Sequence, residues 1–76
     1  MYNKTDFKLM SAQEIAHALG GRVKNVRLSK NVRQEELAQR AGVSRLTVVH
    51  LEKTGRGSLD SFLRIVLALG KSSDLA

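Results

Sequence analysis

Residues 34–52 read QEELAQRAGVSRLTVVHLE, and this stretch decides the fold class. Its first part opens with two glutamates, has an arginine near its end and is followed by Gly42. Acidic residues at the start and basic residues at the end complement the helix dipole, and glycine suits the left-handed cap that ends a helix. We therefore predict a short helix over about 34–41. The second part is ambiguous, because three consecutive β-branched residues at 47–49 favour a strand by local propensity.

The hydrophobic pattern favours a helix for this second part. A strand would alternate polar and apolar side chains, and the alternation breaks where two valines are adjacent. The chain also offers no second strand with which to pair. Ser44 is a favourable N-cap, and Val48 and Leu51 then share one helical face. We predict a helix over about 45–53, and its outward side carries Leu46, Val49 and His50.

A first helix is predicted over about 12–30. The preceding residues, SAQE at 11–14, match a capping box, and apolar residues then recur at spacings of three and four. Gly20 and Gly21 weaken the middle of this helix by roughly 1 kcal/mol each relative to alanine. They indicate close packing or a bend, because no strand precedes them as it would in a phosphate loop.

A last helix is predicted over about 59–69. The glycine-rich segment TGRGS at 54–58 is typical of a loop, Ser58 is a favourable N-cap, and Gly70 is expected to end the helix. The apolar residues of this helix spread over about 200 degrees of the helical wheel, which is wider than the ~100 degrees that one core contact needs. We expect a partner to cover part of this face, and a dimer interface is predicted at Phe62, Leu67 and Leu69.

The two ends of the chain differ from its middle. Residues 1–10 show no sustained period, and we expect a flexible N-terminal arm there, followed by one helical domain over 11–76. Residues 72–76, SSDLA, look like the cap and first turn of a further helix that the sequence does not continue. The predicted fold class is all-α, a compact bundle of four to five helices containing a helix-turn-helix.

Composition excludes several classes of function. The 76 residues contain no cysteine, so neither disulfides nor a thiolate metal site is expected. The two histidines are far apart, and no nucleophile, base and orienting group can be assembled from them and seven scattered acids, so we expect no metal, no cofactor and no enzyme. The longest apolar run is far too short to span a membrane. A soluble protein of a reducing cytoplasm is the expectation.

The charge balance points to an anionic partner. Thirteen lysines and arginines against seven acids give a formal charge of +6 on a small domain, which suits contact with phosphates, anionic lipid or an acidic protein. Basic charge can also serve solubility alone. Small Ala38 where two short helices would cross, and Gly42 in the turn between them, suit a helix-turn-helix that projects the start of the third helix toward a DNA major groove. The same spacing can arise in any small helical bundle.

From Leu19 to Gly70 the sequence resembles the Cro/C1 or XRE-type helix-turn-helix repressors. The resemblance lies in QEELAQRAGVS, in Glu52 at the end of the third helix and in SLDSFLRIVLALG. Two shorter stretches, SAQEIAHAL and SLDSFLRIV, also look like antitoxins of the HipB type, which pair with kinase-like toxins. The resemblance implies a DNA-binding domain over 11–76, double-stranded DNA as partner, and a homodimer.

The resemblance also implies roles for individual residues. The residues expected to face base edges are Arg45, Leu46, Thr47 and His50. The residues expected to contact DNA phosphates are Arg33, Gln34, Ser44, Lys53 and Arg56. Arg27 and Glu52 are expected to form a structural ion pair. Arg33 departs from the family pattern, which often has threonine, serine or asparagine as the cap of the second helix.

Two interpretations of the exposed side of the third helix remain open. The alternative for the base-facing candidates is a solvated helix face, and it suits Leu46 least of the four. Leu46 and Val49 lie three residues apart, and the apolar ridge that they would form suits thymine methyl groups or the side chains of another protein. Two functions follow. The first is a dimeric repressor that reads a pseudo-palindromic operator, and the alternative is an antitoxin that binds a kinase-like toxin and autoregulates its operon.

Overall fold

The computed structural model describes residues 10–74, with side chains up to residue 70. Within these residues it contains no strand and four helices, which are α1 (Ala12–Ser29), α2 (Gln34–Ala41), α3 (Arg45–Thr54) and α4 (Leu59–Asp74). The all-α prediction is confirmed, and the β-branched residues at 47–49 are helical because the cap and the apolar face outweigh their strand propensity. The predicted arm at 1–10 lies almost wholly outside the described residues.

The predicted N-caps of three helices are present. At the start of α1 the backbone N–H of Glu14 donates to Ser11 Oγ, and the N–H of Ser11 donates to Glu14 Oε1, both at 3.1 Å. The Ser44 hydroxyl oxygen accepts from the N–H of Thr47 at 3.1 Å, and that of Ser58 accepts from the N–H of Ser61 at 3.0 Å. Each bond satisfies a donor that the first turn of a helix leaves free.

The expectation that Gly70 ends the last helix is wrong. α4 continues through Gly70 to Asp74, and Gly70 is not among the residues with positive φ. Glycine lowers helix stability by about 1 kcal/mol relative to alanine, but it ends a helix only where the chain turns into the left-handed region. Residues 72–74, read as the cap of a further helix, therefore belong to α4, and residues 75–76 lie outside the described part.

The core lies mainly between α2, α3 and α4, and α1 packs mainly against α3 and contributes Val23 to the same core. The fully buried side chains are Leu37, Val48 and Ile65, one from each of these three helices. The side chains buried around them include Val23, Val32, Ala38, Ala41, Leu51, Ala68 and Leu69. Each large buried aliphatic side chain stabilises the fold by about 1.5–3 kcal/mol through the surface it removes from water.

The α1–α3 contact depends on a glycine. A Cβ at Gly20 would overlap the backbone carbonyl oxygen of Leu51, so the two helices approach more closely than any other residue would allow. Close packing, one of the two roles predicted for these glycines, is therefore confirmed for Gly20. Gly21 has no atom near its Cβ position, and nothing in its surroundings requires glycine.

Candidate nucleic-acid interface

The turn between α2 and α3 sets the direction of α3. Gly42 has φ 72°, and its N–H donates to the Gln39 carbonyl oxygen at 3.3 Å, while the N–H of Val43 donates to the Ala38 carbonyl oxygen at 3.0 Å. This pair of bonds is a Schellman motif, which needs a left-handed residue at the glycine position. Val43 packs against the core as such motifs often require. The turn therefore directs the start of α3 outward.

Three of the four base-facing candidates are exposed at this end of α3. Arg45, Leu46 and His50 lie on the surface, and Leu46 is 61% exposed. Thr47 is half-buried and its hydroxyl is 2.8 Å from that of Ser44, so it is the least available of the four. Arginine offers paired donors to guanine, leucine an apolar contact to a thymine methyl, and histidine a single donor or acceptor.

The surroundings of Leu46 and Val49 differ. Leu46 lies in the open, whereas Val49 is half-buried and lines a cleft with Lys24, Glu52 and other residues. The two side chains therefore do not form one equally exposed ridge. Leu46 is the member of the pair that is available to a thymine methyl group or another protein.

A buried ion pair fixes α3 to α1. Arg27 Nε donates to Glu52 Oε2 at 2.6 Å, and Arg27 Nη2 donates to Glu52 Oε1 at 3.0 Å, with the two side chains only 8% and 2% exposed. Arg27 Nη1 also donates to the Val32 carbonyl oxygen at 2.8 Å. The guanidinium of this α1 residue thus links α1, the segment between α1 and α2, and the end of α3. The desolvation of both charges offsets most of their attraction, so this pair orients α3 more than it stabilises the fold.

Gln34 joins this pair, a contact that the sequence does not indicate. Its amide nitrogen donates to Glu52 Oε1 at 3.1 Å, so the first residue of α2 is tied to the end of α3. Gln34 also lines the clefts on both sides of this contact. Gln34, which is expected to contact a DNA phosphate, is thus held in place by the same Glu52 carboxylate that Arg27 binds.

Arg33, the N-cap of α2, has no acceptor atom and makes no side-chain cap. Glu36 Oε1 instead accepts from the backbone N–H of Arg33 at 3.2 Å and from its Nε at 3.1 Å, and Glu36 Oε2 lies 3.6 Å from Arg40 Nη2. The backbone N–H of Arg33 first, and its guanidinium next, lower the pKa of the Glu36 carboxyl. The departure of Arg33 from the family pattern is thus compensated by Glu36, and the Arg33 side chain stays on the surface.

Unpaired cations concentrate on α1, α3 and the loop after α3. In the part of the chain with described side chains, five cations have no carboxylate within 4 Å: Arg22, Lys24, Arg45, Lys53 and Arg56. The arginines of α4 and of α2 with its N-cap are paired with Asp60 or Glu36. Arg56 in the loop is exposed between two glycines. Its backbone N–H donates to Thr54 Oγ1 at 3.1 Å. Four of these cations, Lys24, Arg45, Lys53 and Arg56, lie on α3, on the loop that follows it or in a cleft that α3 lines, whereas Arg22 lies beside the groove between α1 and α4.

The three residues expected at a dimer interface occupy different environments. Leu69 is 6% exposed and belongs to the core of its own chain, so it is committed there and is not available to a partner. Phe62 is half-buried against the core, and Leu67 is 64% exposed. The exposed apolar side chains of α4 are Leu59, Leu63, Val66 and Leu67. The wide apolar face is real, and of the three residues chosen from the sequence only Leu67 lies in its exposed part.

An apolar groove between α1 and α4 was not foreseen. It has a volume of about 470 Å³, and its lining includes Leu19, Val26, Phe62 and Val66, with Arg22 and Lys30 from α1. Val26 belongs to the apolar stripe of α1 but is 42% exposed, because α4 does not cover that end of the stripe. The breadth of the apolar face on α4 is the one sequence signal from which this groove could have been predicted.

Two negative findings concern the described residues. No helix there is long and apolar enough to cross a membrane. No group of three or more histidine, cysteine, aspartate or glutamate side chains is placed to hold a metal ion there.

Comparison with known families supports the geometry. A family model described as "Helix-turn-helix" matches residues 23–75, from the middle of α1 to the end of α4. No curated protein matches the sequence. The matched span contains the Schellman turn, both partners of the buried ion pair and every residue expected to contact DNA.

Proposed function

We propose that this chain, which belongs to the Cro/C1 or XRE type of helix-turn-helix DNA-binding transcriptional regulators, is a dimeric repressor of a pseudo-palindromic operator. The start of α3 enters the major groove in this proposal. The observation that carries it is the exposure of Arg45, Leu46 and His50 on a helix end that a Schellman turn and a buried ion pair hold outward. A rigid helix that presents varied side chains suits recognition of base edges.

The base contacts are assigned by chemistry. Arg45 pairs with the O6 and N7 atoms of a guanine, Leu46 covers a thymine methyl group, and His50 reaches an acceptor one turn deeper. Thr47 contributes through its methyl group, since its hydroxyl is already bonded to that of Ser44. Phosphate contacts come from Gln34, Ser44, Lys53, Arg56 and the exposed end of Arg33, which position the helix without reading sequence.

Dimerisation follows from the exposed side of α4. Leu59, Leu63 and Val66 are spaced by four and three residues, with Leu67 beside them, as in a stripe that packs against another helix. Two copies related by a two-fold axis would bury this stripe and set their recognition helices about 34 Å apart, one turn of DNA. The site of action is the cytoplasm of a bacterium, at the nucleoid.

Selection of bound duplexes from a random DNA pool, at a stated salt concentration, tests this function. A repressor of this kind enriches a pseudo-palindrome whose half-sites are centred about 10 base pairs apart. Enrichment of a single half-site, together with a monomer in sedimentation at high micromolar concentration, would refute the dimer. A pool that stays random after several rounds would refute sequence-specific recognition.

The apolar groove between α1 and α4 favours a second candidate function. It suits an antitoxin that holds a kinase-like toxin through Leu19, Val26 and Val66 and binds DNA to regulate its own operon. Co-expression with a kinase-like protein encoded beside this gene tests it. A stable complex that Val26→Asp abolishes, while DNA binding persists, would support the antitoxin, because Val26 lines the groove from α1 and lies outside the proposed dimer stripe of α4. Absence of a complex between the two purified proteins would leave the plain repressor.

A further inference from the structure

A cleft beside α3 has a charge that the assigned contacts do not use. It has a volume of about 320 Å³ and is lined by side chains of three helices: Lys24 of α1, Gln34 of α2, and Val49, Glu52 and Lys53 of α3. Lys24 has no role in the interface described above. Lys53 lies one helical turn beyond Val49, so the cleft runs along α3 away from its base-facing start.

The net charge of the cleft is positive because its only carboxylate is already compensated. Glu52 is buried and accepts two hydrogen bonds from Arg27 and one from Gln34. Lys24 and Lys53 are exposed, and neither has a carboxylate within 4 Å among the described residues. Two lysines from different helices therefore line one cleft, and the one carboxylate in its lining is already bound by Arg27 and Gln34.

The remaining lining suits a small anion with several acceptor oxygens. The Gln34 amide has two N–H groups, and only one of them is used by Glu52 in the described part of the chain. Val49 provides an apolar wall along which lysine stems can lie while their charged ends stay at the cleft mouth. The donors are point charges without the fork of arginine, and such donors suit a phosphate group more than a base edge.

The neighbouring cleft on the other side of Gln34 is different. It is lined by Arg27, Arg33, Glu35 and Arg45 as well as Gln34. Arg27 is paired with Glu52, Arg33 is paired with Glu36, and Glu35 adds a negative charge. Only Arg45 is left there, and the proposed function directs it to a base. Of the two clefts, the one lined by Lys24 and Lys53 therefore has the larger uncompensated positive charge.

We propose that Lys24 and Lys53, with the second N–H of Gln34, bind one backbone phosphate of the DNA while the start of α3 reads the bases. The proposal rests on the proposed function and adds Lys24, a residue of α1, to the DNA-binding surface. It gives α1 a direct contact with the DNA besides its indirect hold on α3 through Arg27. The ligand chemistry is a phosphate with exposed oxygens, and its source is the duplex backbone.

The test is the salt dependence of affinity for the selected duplex, with a matched control on the same helix. Lys24→Gln removes one positive charge from the cleft, whereas Arg22→Gln removes one from α1 two residues earlier, beside the apolar groove with α4. Lys24→Gln is expected to lower the magnitude of the slope of log K against log [salt] by about 0.9, the value for one phosphate. Arg22→Gln is expected to leave it unchanged. Equal changes for both variants would overturn the proposal.

A double variant tests whether the two lysines share one phosphate. Because both lysines are needed to hold one shared phosphate, Lys24→Gln with Lys53→Gln is expected to lower the slope by about 0.9 in total, no more than either substitution alone, and each substitution should cost less affinity in the background of the other. A loss of about 1.8, with additive affinity losses, would overturn the shared site. Both lysines are exposed, so unchanged circular dichroism is expected to show that the variants fold.

Two further experiments distinguish failure of the proposed function from failure of the phosphate assignment. Wild-type protein that selects no duplex would refute the proposed function and this proposal together. Selective binding with an unchanged slope for Lys24→Gln would refute this proposal alone. Inorganic phosphate, titrated into the protein and followed by amide chemical shifts, probes the cleft without DNA. A response at Lys24 and Lys53 to inorganic phosphate, with no effect of either lysine on DNA binding, would overturn the assignment of the source.

Discussion

The two sides of α3 carry charge in opposite ways. On the inner side, Glu52 is 2% exposed and every charge is bound by a partner on another helix. On the outer side, Arg45 and Lys53 are exposed and have no carboxylate partner among the described residues. The inner side determines where the helix lies, and the outer side is left for a ligand. Substitutions on the two sides should therefore change different measured quantities.

Removing one partner of the buried ion pair on the inner side of α3 should give the largest effect, a loss of unfolding free energy. Glu52→Gln leaves the Arg27 guanidinium buried beside a neutral amide, and loss of one partner of a buried pair costs about 3–5 kcal/mol of the free energy of unfolding. Urea denaturation measures it. The matched control is Asp60→Asn, which breaks the exposed pair at 2.8 Å with Arg64 and should cost less than about 1 kcal/mol. Equal losses for the two variants would contradict the burial of the Arg27 and Glu52 charges.

On the outer side, Arg45→Ala should change specificity with little change in stability. Loss of a bidentate contact to guanine reduces discrimination at one base pair by about 1–3 kcal/mol. Competition binding against duplexes substituted at each position of the selected site measures this. An equal loss of affinity for the selected and random duplexes would show that Arg45 contacts a phosphate, contrary to its assignment.

A smaller effect, on DNA affinity, is expected near the C-terminal end of α3 on its outer side. Lys53→Ala should weaken binding to all sequences alike and lower the salt slope by about 0.9, because the residue is assigned to a phosphate. Isotherms at several salt concentrations, with the selected and a random duplex, provide the measurement. A sequence-dependent loss would place Lys53 at a base edge.

The smallest effect is expected for the exposed ion pairs of α2. The pKa of Glu36 is lowered in the folded protein, first by the backbone N–H of Arg33. A lowered pKa gives stability that is present above the unfolded value of about 4.3 and is lost as the pH falls through the folded value. Thermal melting from pH 6 to pH 3 should therefore show a slightly shallower decline for Glu36→Gln than for wild type. A steeper decline for the variant would contradict the assigned direction.

The inner side of α3 was largely predictable from the sequence. The cap at Ser44 and the apolar pair Val48 and Leu51 require only local spacing, so a short stretch contains the information. Arg27 and Glu52 lie far apart in the chain, and only the family resemblance paired them. The contact of Gln34 with Glu52 was not predictable, because it depends on how closely α2 approaches the end of α3.

The last helix shows where local rules fail. Gly70 resembles a stop signal, yet a glycine ends a helix only if the following chain turns, and the residues that follow here continue α4. The periodicity of α4 also could not separate Leu69 from Leu67. Both are apolar, and the choice between core and surface depends on the angle at which α2 meets α4.

The central claim is that the exposed start of α3 reads DNA sequence. The most direct measurement is the ratio of affinities for the selected duplex and a random duplex, at one salt concentration near physiological, for wild type and Arg45→Ala. The account predicts a ratio of about 10³ or more for wild type and a clearly smaller one for the variant. A wild-type ratio near one, or a ratio unchanged by Arg45→Ala, would contradict it.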